Sequence, residues 1–152
     1  GDLNSTIIGD DYIKPKTRFT GSGGANGIAT YSNTVIMMQH EKRRFIDKID
    51  YVTSVGWAGG PGGREKLGLP GNRGPLAVVT DKGILRFDEV TKRMYLAGYY
   101  PGVTIEDIVE NTGFEIDTSR AVQLEAPSEE IIKMIREDID PGQAFIKVPV
   151  EE

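Results

Sequence analysis

The apolar residues of the N-terminal half form two strand-like patterns separated by polar stretches. Residues 35–38 are a continuous apolar run bounded by polar residues, which predicts a strand buried on both faces. Residues 49–55 alternate and are rich in β-branched side chains, which predicts a second strand. Residues 41–50 read as a turn or short helical piece, and residues 56–74 as a loop dense in Gly and Pro. Residues 1–32 carry few structural signals and suit a connection into the first strand.

The second half has sharper boundaries. Turn residues at 81–83 separate two β-rich runs, which predicts an antiparallel meander. Thr104 and Ser128 are placed to cap two short helices, and residues 140–142 (Asp-Pro-Gly) end the second. The predicted strands of this half are residues 76–80, 84–87, 93–97 and 121–124.

Together these elements predict an α/β chain of 152 residues, long enough for one sizeable core. The net charge of −5 argues against non-specific binding to nucleic acid or to an anionic membrane. The absence of cysteine excludes disulfides and Cys-based zinc sites and is consistent with a cytoplasmic protein. The chain opens on Gly1 rather than Met, and we expect a fragment or one half of a split polypeptide, a processed N-terminus being the alternative.

The most distinctive segment is residues 18–27 (Arg-Phe-Thr-Gly-Ser-Gly-Gly-Ala-Asn-Gly), just before the first predicted strand. Glycines let backbone N–H groups approach a ligand closely, so this loop suits a phosphate, an oxyanion or a thioester carbonyl. A tight turn with no ligand is an equally good interpretation of the residues alone. The segment is not a Walker A loop, because no Gly-Lys-Ser/Thr follows it. It is not a dinucleotide fingerprint either, because the third glycine and the helix after it are missing.

Other candidate groups have plainer explanations. His40 is the only histidine, so no His-based metal site is expected, and a structural or surface role is expected rather than a catalytic one. The charged residues 40–44 are expected to form a solvated turn, with contact to the phosphates of a large anion as the alternative. Trp57 is a candidate lid or subunit contact beside a glycine-rich stretch.

Several segments closely resemble the β subunits of class I CoA-transferases that act on dicarboxylic acids such as glutaconate. The resemblance runs the whole length of the chain and corresponds to the C-terminal part of that subunit, so residues 1–152 are assigned to one β-subunit-like domain. It is carried by residues 14–31, 37–45, 51–54, 60–65, 79–85, 110–114 and 139–146.

The resemblance implies an open α/β sheet flanked by helices, a partial domain here, and a partner α subunit. It implies ping-pong chemistry in which a β-subunit glutamate attacks an acyl-CoA such as acetyl-CoA and passes CoA to a second acid. By the same resemblance, the backbone N–H groups of Gly23, Gly24 and Ala25 form an oxyanion hole, and Ser22 and Asn26 contact the substrate. Coenzyme A enters as the acyl-CoA substrate, and no metal is implied.

The nucleophile is where the chain departs from the family. The family's glutamate lies in a Glu-Ser-Gly turn of the N-terminal half of the β subunit, and no such turn occurs here. We therefore expect the isolated chain to be inactive, its site being completed by an α subunit and the N-terminal part of the β subunit. The alternatives are a CoA-ester decarboxylase or C–C hydrolase on the same scaffold, or a non-catalytic partner subunit. The glutamates that do not match the motif are 41, 65, 89, 106, 110, 115, 125, 129, 130, 137, 151 and 152.

Overall fold

The computed structural model describes residues 1–146. Its N-terminal half contains more structure than the sequence indicates, because a two-stranded antiparallel ribbon and a helix lie within residues 1–32. The predicted strand at residues 49–55 is wrong, since there only Ser54 forms a bridge, to Leu3. The elements are β1 (Ile7–Ile8), β2 (Thr17–Arg18), α1 (Ala25–Tyr31), β3 (Thr34–Met37) and α2 (Gly63–Lys66).

The second half follows the predicted order. The antiparallel meander is confirmed, because β5 pairs antiparallel with both β4 and β6. Helix α3 begins after Thr104, whose hydroxyl accepts a hydrogen bond from the Asp107 N–H, as an N-cap should. The elements are β4 (Pro75–Val79), β5 (Gly83–Phe87), β6 (Met94–Tyr99), α3 (Ile105–Glu110), β7 (Val122–Gln123) and α4 (Glu129–Met134).

The C-terminal end of the described chain is helical. Ser128 caps α4 by accepting from the Ile131 N–H, as predicted. A π-helical turn, Ile135–Ile139, continues α4. Asp140 then ends the helix, and its carboxylate accepts hydrogen bonds from the backbone of residues 144–146.

A single mixed sheet organises the molecule, with the strand order β3-β4-β5-β6-β7. The two outer pairs are parallel and the inner pairs antiparallel. One face of this sheet forms the core, where Leu85 and Leu96 pack against Ile108 of α3, and all three side chains are fully buried. The prediction of an α/β fold with a sheet, flanking helices and a meander is confirmed.

Strand β3 is not buried on both faces as predicted. Ile36 packs on the core side, but Val35 and Met37 on the opposite face are 57% and 80% exposed. Within residues 1–146, β3 pairs with β4 only, so it is an edge strand with one free side. One face of this apolar run therefore packs against the core, and its other face has no partner among the described residues.

Candidate functional site

The glycine loop is held at its base by the N-terminal ribbon. The Phe19 N–H donates to the Thr6 carbonyl at 2.8 Å, and the Gly21 N–H donates to the Ser5 carbonyl at 2.9 Å. Gly21 and Gly23 have φ values of 91° and 55°, which other residues rarely adopt. The loop thus leaves the ribbon through two left-handed turns that require glycine.

Helix α1 follows the loop directly, contrary to the expectation that no helix would. Gly24 is its N-cap residue and offers no side chain to the first-turn N–H groups. The sequence conceals this helix because residues 25–31 (ANGIATY) include Gly27 and two β-branched residues, which are poor helix formers. Contacts with the rest of the chain must therefore stabilise α1.

The backbone N–H groups of the five predicted site residues are not equivalent. The Ala25 N–H donates to the Ser22 carbonyl at 3.0 Å, so the chain itself already engages this donor. Among residues 1–146, the N–H groups of Ser22, Gly23, Gly24 and Asn26 donate no hydrogen bond, and Gly23 and Gly24 are the adjacent pair without side chains. Both glycines are exposed, which leaves two adjacent free donors.

The side chains of the two predicted polar contacts, Ser22 and Asn26, turn towards their own backbone. The Ser22 hydroxyl donates to the Gly23 carbonyl at 3.3 Å, and the Asn26 carbonyl oxygen accepts from the Gly27 N–H at 2.8 Å. Gly24 and Gly27 have ordinary negative φ values, and an added Cβ would meet nothing within 4 Å at either. Neither strain nor packing in the described chain explains why these two positions lack side chains.

A buried arginine lies beneath α1. Arg64 of α2 is 1% exposed, and its guanidinium donates to the carbonyls of Ala29 and Thr30 at the end of α1. Nothing in the sequence assigned a separate role to Arg64, which lies in a resemblance segment and at the end of the glycine-rich stretch beside Trp57. One sequence feature could have pointed to Arg64: it is an arginine directly after a Gly-Gly pair in a glycine-rich stretch, where a helix can start.

His40 is structural, as expected. It is 2% exposed, stacks on Phe45 with ring centroids 4.2 Å apart, and lies between the hydroxyls of Thr80 and Thr112. Thr112 uses its one hydroxyl proton to donate to the Ile108 carbonyl at 2.8 Å, so it must accept from His40 Nε2–H. Burial lowers the pKa of His40, which is therefore neutral at pH 7 with its proton on Nε2.

The charged segment after His40 forms an exposed turn, the interpretation favoured from the sequence. The Glu41 carboxylate accepts from the guanidinium groups of Arg43 and Arg44 at 2.5 and 3.1 Å. The Arg43 hydrogen bond, followed by that of Arg44, lowers the pKa of Glu41. Both arginines are thus paired within the turn itself.

Trp57 is packed against the chain rather than free to act as a lid. Its indole N–H donates to the Pro75 carbonyl at 3.1 Å, its ring covers Gly74, and Lys92 lies over the ring at 4.4 Å. A cavity of about 990 Å³ lies near this tryptophan, and the only residue of the glycine loop that lines it is Phe19. The cavity and the free donors are therefore distinct features.

The described residues contain neither a cluster of metal-ligating side chains nor a membrane-spanning helix. No group of three or more His, Asp and Glu side chains within residues 1–146 is arranged to hold a metal ion. None of the helices described is long and apolar enough to cross a bilayer. Glu151 and Glu152 lie outside the described residues.

Comparison with known proteins decides the family. The sequence profile of the coenzyme A transferase family matches residues 1–111, almost three quarters of the chain. The chain belongs to the coenzyme A transferase family. This confirms the family resemblance on which the site residues were chosen.

Individual relatives agree with this coenzyme A transferase assignment. The chain is 74% identical to the B subunit of glutaconate CoA-transferase from Acidaminococcus fermentans, over 99% of the chain and 56% of the relative. The crystal structure of that enzyme superposes with a TM-score of 0.94, at 74% identity over 98% of this chain and 57% of the other. Identity is 40% to the B subunit of 3-oxoadipate CoA-transferase from Pseudomonas knackmussii, over 90% of the chain and 52% of the relative.

A more distant relative has another activity in its name. The cholesterol ring-cleaving hydrolase IpdB subunit of Rhodococcus jostii is 26% identical over 93% of the chain and 55% of the relative. The crystal structure of Rhodococcus jostii IpdAB has a TM-score of 0.78, covering 95% of this chain and 57% of that one at 25% identity. This coenzyme A transferase chain thus spans little more than half the length of the relatives it matches.

Proposed function

We propose that the chain is part of a CoA-transferase that moves CoA from an acyl-CoA, such as acetyl-CoA, to a dicarboxylic acid such as glutaconate. The observation that carries this proposal is 74% identity to the B subunit of a glutaconate CoA-transferase over 99% of the chain. Identity falls to 26% for the relative named as a hydrolase, which favours transfer over C–C hydrolysis. Because the substrates are acyl-CoA metabolites, we place the activity in the cytoplasm.

The proposed enzyme needs two further parts. The relatives are named as B subunits, which supports an α-subunit partner. The chain matches 56% of the first relative, and the remaining N-terminal part of the β subunit would supply the nucleophilic glutamate. In this proposal the chain does not transfer CoA alone.

The glycine loop would stabilise charge in the acyl-transfer steps. The glutamate carboxylate attacks the thioester carbonyl, the carbonyl oxygen becomes an oxyanion, and the C–S bond breaks to give an acyl–glutamyl anhydride and CoA thiolate. The thiolate then attacks the glutamyl carbonyl and releases the first acid as its carboxylate. Donors aimed at the oxyanion lower both barriers, and losing one typically costs roughly 10²–10³ in kcat.

The structure supports Gly23 and Gly24 as the primary donors, because their N–H groups have no partner among the described residues. Ala25 N–H joins them only when it leaves the Ser22 carbonyl. Ser22 and Asn26 keep the role of neighbouring polar contacts, since Asn26 is exposed and Ser22 half-buried at the loop.

The test is Gly24→Ala in the assembled enzyme, with Gly27→Ala as the matched control. Neither new methyl group meets an atom of this chain within 4 Å, and neither position has a positive φ, so both variants should fold. A methyl group beside the oxyanion donors displaces the thioester, and a displacement of 1 Å can cost roughly 10²-fold in rate. Transfer of CoA from acetyl-CoA to glutaconate should fall accordingly for Gly24→Ala and stay near wild type for Gly27→Ala.

Three other results would count against the proposal. Wild-type kcat in Gly24→Ala would remove the loop from the reaction. Turnover by the chain alone would place the nucleophile within these 152 residues. Decarboxylation or carbon–carbon cleavage of a CoA ester without CoA transfer by the assembled enzyme would favour the alternative activities.

A further inference from the structure

Arg64 is a buried cation whose partners in the described part of the chain are all backbone carbonyls. Its guanidinium donates to five backbone carbonyls, and no carboxylate of residues 1–146 pairs with it. Burial of an unpaired charge is costly unless fixed dipoles surround it. The donor–acceptor distances run from 2.5 Å to Thr30 to 3.3 Å to Val55, and the other carbonyls belong to Ala29, Gly56 and Pro70.

These carbonyls come from three separate segments. Pro70 follows α2, Val55 and Gly56 precede it, and Ala29 and Thr30 lie in the last turn of α1. The last carbonyls of a helix lack intrahelical partners and carry partial negative charge, so a cation placed there stabilises the helix. Arg64 is therefore a C-terminal cap of α1 supplied by a segment more than 30 residues away.

Helix α1 has little else to hold it. It has seven residues and no side-chain N-cap, and Ala29 is its only buried residue. A helix this short is marginal in water on its own. Its orientation therefore depends on the burial of Ala29, the base of the loop and the Arg64 guanidinium.

The length of α1 between the Arg64 contact and the free N–H donors determines how far a tilt of the helix moves those donors. Gly24 lies six residues before Thr30, which at 1.5 Å per residue is about 9 Å along the helix axis. A tilt of about 6° about the Arg64 end would move the free N–H donors by about 1 Å, an error that can cost roughly 10²-fold in rate.

We propose that Arg64 is a positioning residue, which holds α1 so that the Gly23 and Gly24 N–H groups face the reacting carbonyl. This inference rests on the proposed function of the glycine loop. It assigns no contact between Arg64 and the substrate, because the side chain is buried beneath the helix.

The test uses Arg64→Lys in the assembled enzyme, with Arg86→Lys as the control at an exposed arginine of β5. Lysine keeps the charge but cannot reach three segments with one ammonium group. We expect kcat per assembled complex to fall tenfold or more in Arg64→Lys, with KM for the acyl-CoA within about twofold, because only transition-state contacts are lost. Arg86→Lys should be unchanged.

A double-mutant cycle with Gly24→Ala separates positioning from general destabilisation. If both changes act through the same donors, the loss in Arg64→Lys/Gly24→Ala will be smaller than the product of the single losses. Hydrogen exchange of the α1 amides should accelerate in Arg64→Lys, while exchange in β5 and β6 stays unchanged.

The outcomes are distinguishable. A Gly24→Ala enzyme with wild-type kcat would overturn the proposed role of the glycine loop, whatever Arg64 does. A large Gly24→Ala effect with unchanged kcat in Arg64→Lys, or with multiplicative losses in the double variant, would overturn the positioning role alone. If neither Arg64→Lys nor Arg64→Gln assembles, the guanidinium is required for the whole fold and the positioning role is refuted.

Discussion

Protonation of His40 should destabilise the folded chain, and the size of the effect follows from its surroundings. The ring is 2% exposed, and in the neutral form its Nε2–H already donates to Thr112 at 3.0 Å. A second proton on Nδ1 would face Thr80 Oγ1, which already accepts from the N–H groups of Lys82 and Gly83. The charged ring therefore loses hydration without gaining a free acceptor.

Burial is the main cause that lowers the pKa of His40. The charge of Lys82 lowers it further, while those of Asp81 and Asp107 oppose the shift. Above about pH 6.5 His40 is neutral in both the folded and unfolded chain and contributes no pH dependence. Below that pH His40 binds a proton in the unfolded chain but not in the folded chain. The free energy of unfolding should then fall by up to about 1.4 kcal/mol per pH unit, until the pH reaches the folded pKa.

Two measurements test this behaviour. Because the chain has one histidine, its ring Cε1–H resonance is unambiguous in NMR and should titrate below pH 6.5. Urea unfolding between pH 7.5 and 5 should show a steeper slope below pH 6.5 in the wild type than in His40→Gln, whose remaining slope comes from the buried Gly1 ammonium with its lowered pKa. The lowered pKa values of Asp88, Asp117 and Asp140 have their effect at more acidic pH, below about 4. A titration midpoint at or above 6.5, or an equal slope in His40→Gln, would refute the reasoning.

Three further changes probe the fold. Leu85→Ala, at a fully buried core position, should lower the free energy of unfolding by about 2–5 kcal/mol in urea titrations, and a loss under 1 kcal/mol would contradict the assigned core. Thr104→Ala removes the cap that accepts from the Asp107 N–H at 3.1 Å and should cost about 1 kcal/mol, whereas Thr104→Ser should recover most of it. Met37→Lys adds a charge to the exposed face of the edge strand β3 and should reduce self-association of the isolated chain in sedimentation velocity, while unchanged association would show that this edge is not involved.

Local signals account for the elements that were predicted correctly. The turn at residues 81–83 fixes the β4–β5 hairpin, and the hydroxyls of Thr104 and Ser128 mark the starts of α3 and α4. Each of these signals acts over four residues or fewer, so a single sequence contains all of it. The glycine loop was assigned from signals of the same kind, because the family resemblance consists of many such short segments.

The incorrect predictions lie where contacts between residues distant in sequence determine the local structure. Helix α1 has poor helix formers and is held by Arg64, 34 residues beyond Thr30, which no local pattern shows. Residues 49–55 have the composition of a strand, but their backbone pairing is limited to hydrogen bonds of Thr53 and Ser54 with Leu3. The engagement of Ala25 N–H by Ser22 is likewise a property of the folded loop, and it separates Ala25 from the two free donors.

The sheet order has a consequence for the sequence of events in folding. The meander β4–β5–β6 joins neighbours along the chain, whereas the parallel β3–β4 pair brings Thr34 to Pro75, 41 positions away. Pairing between strands that are distant in sequence is slow, because the intervening chain must lose loop-closure entropy before the strand contacts form. We expect the meander to form first, and β3, α1 and the Arg64 cap to settle onto it later. Pulse-labelling hydrogen exchange should protect the β5 and β6 amides before those of α1, which would make the glycine loop a late product of folding.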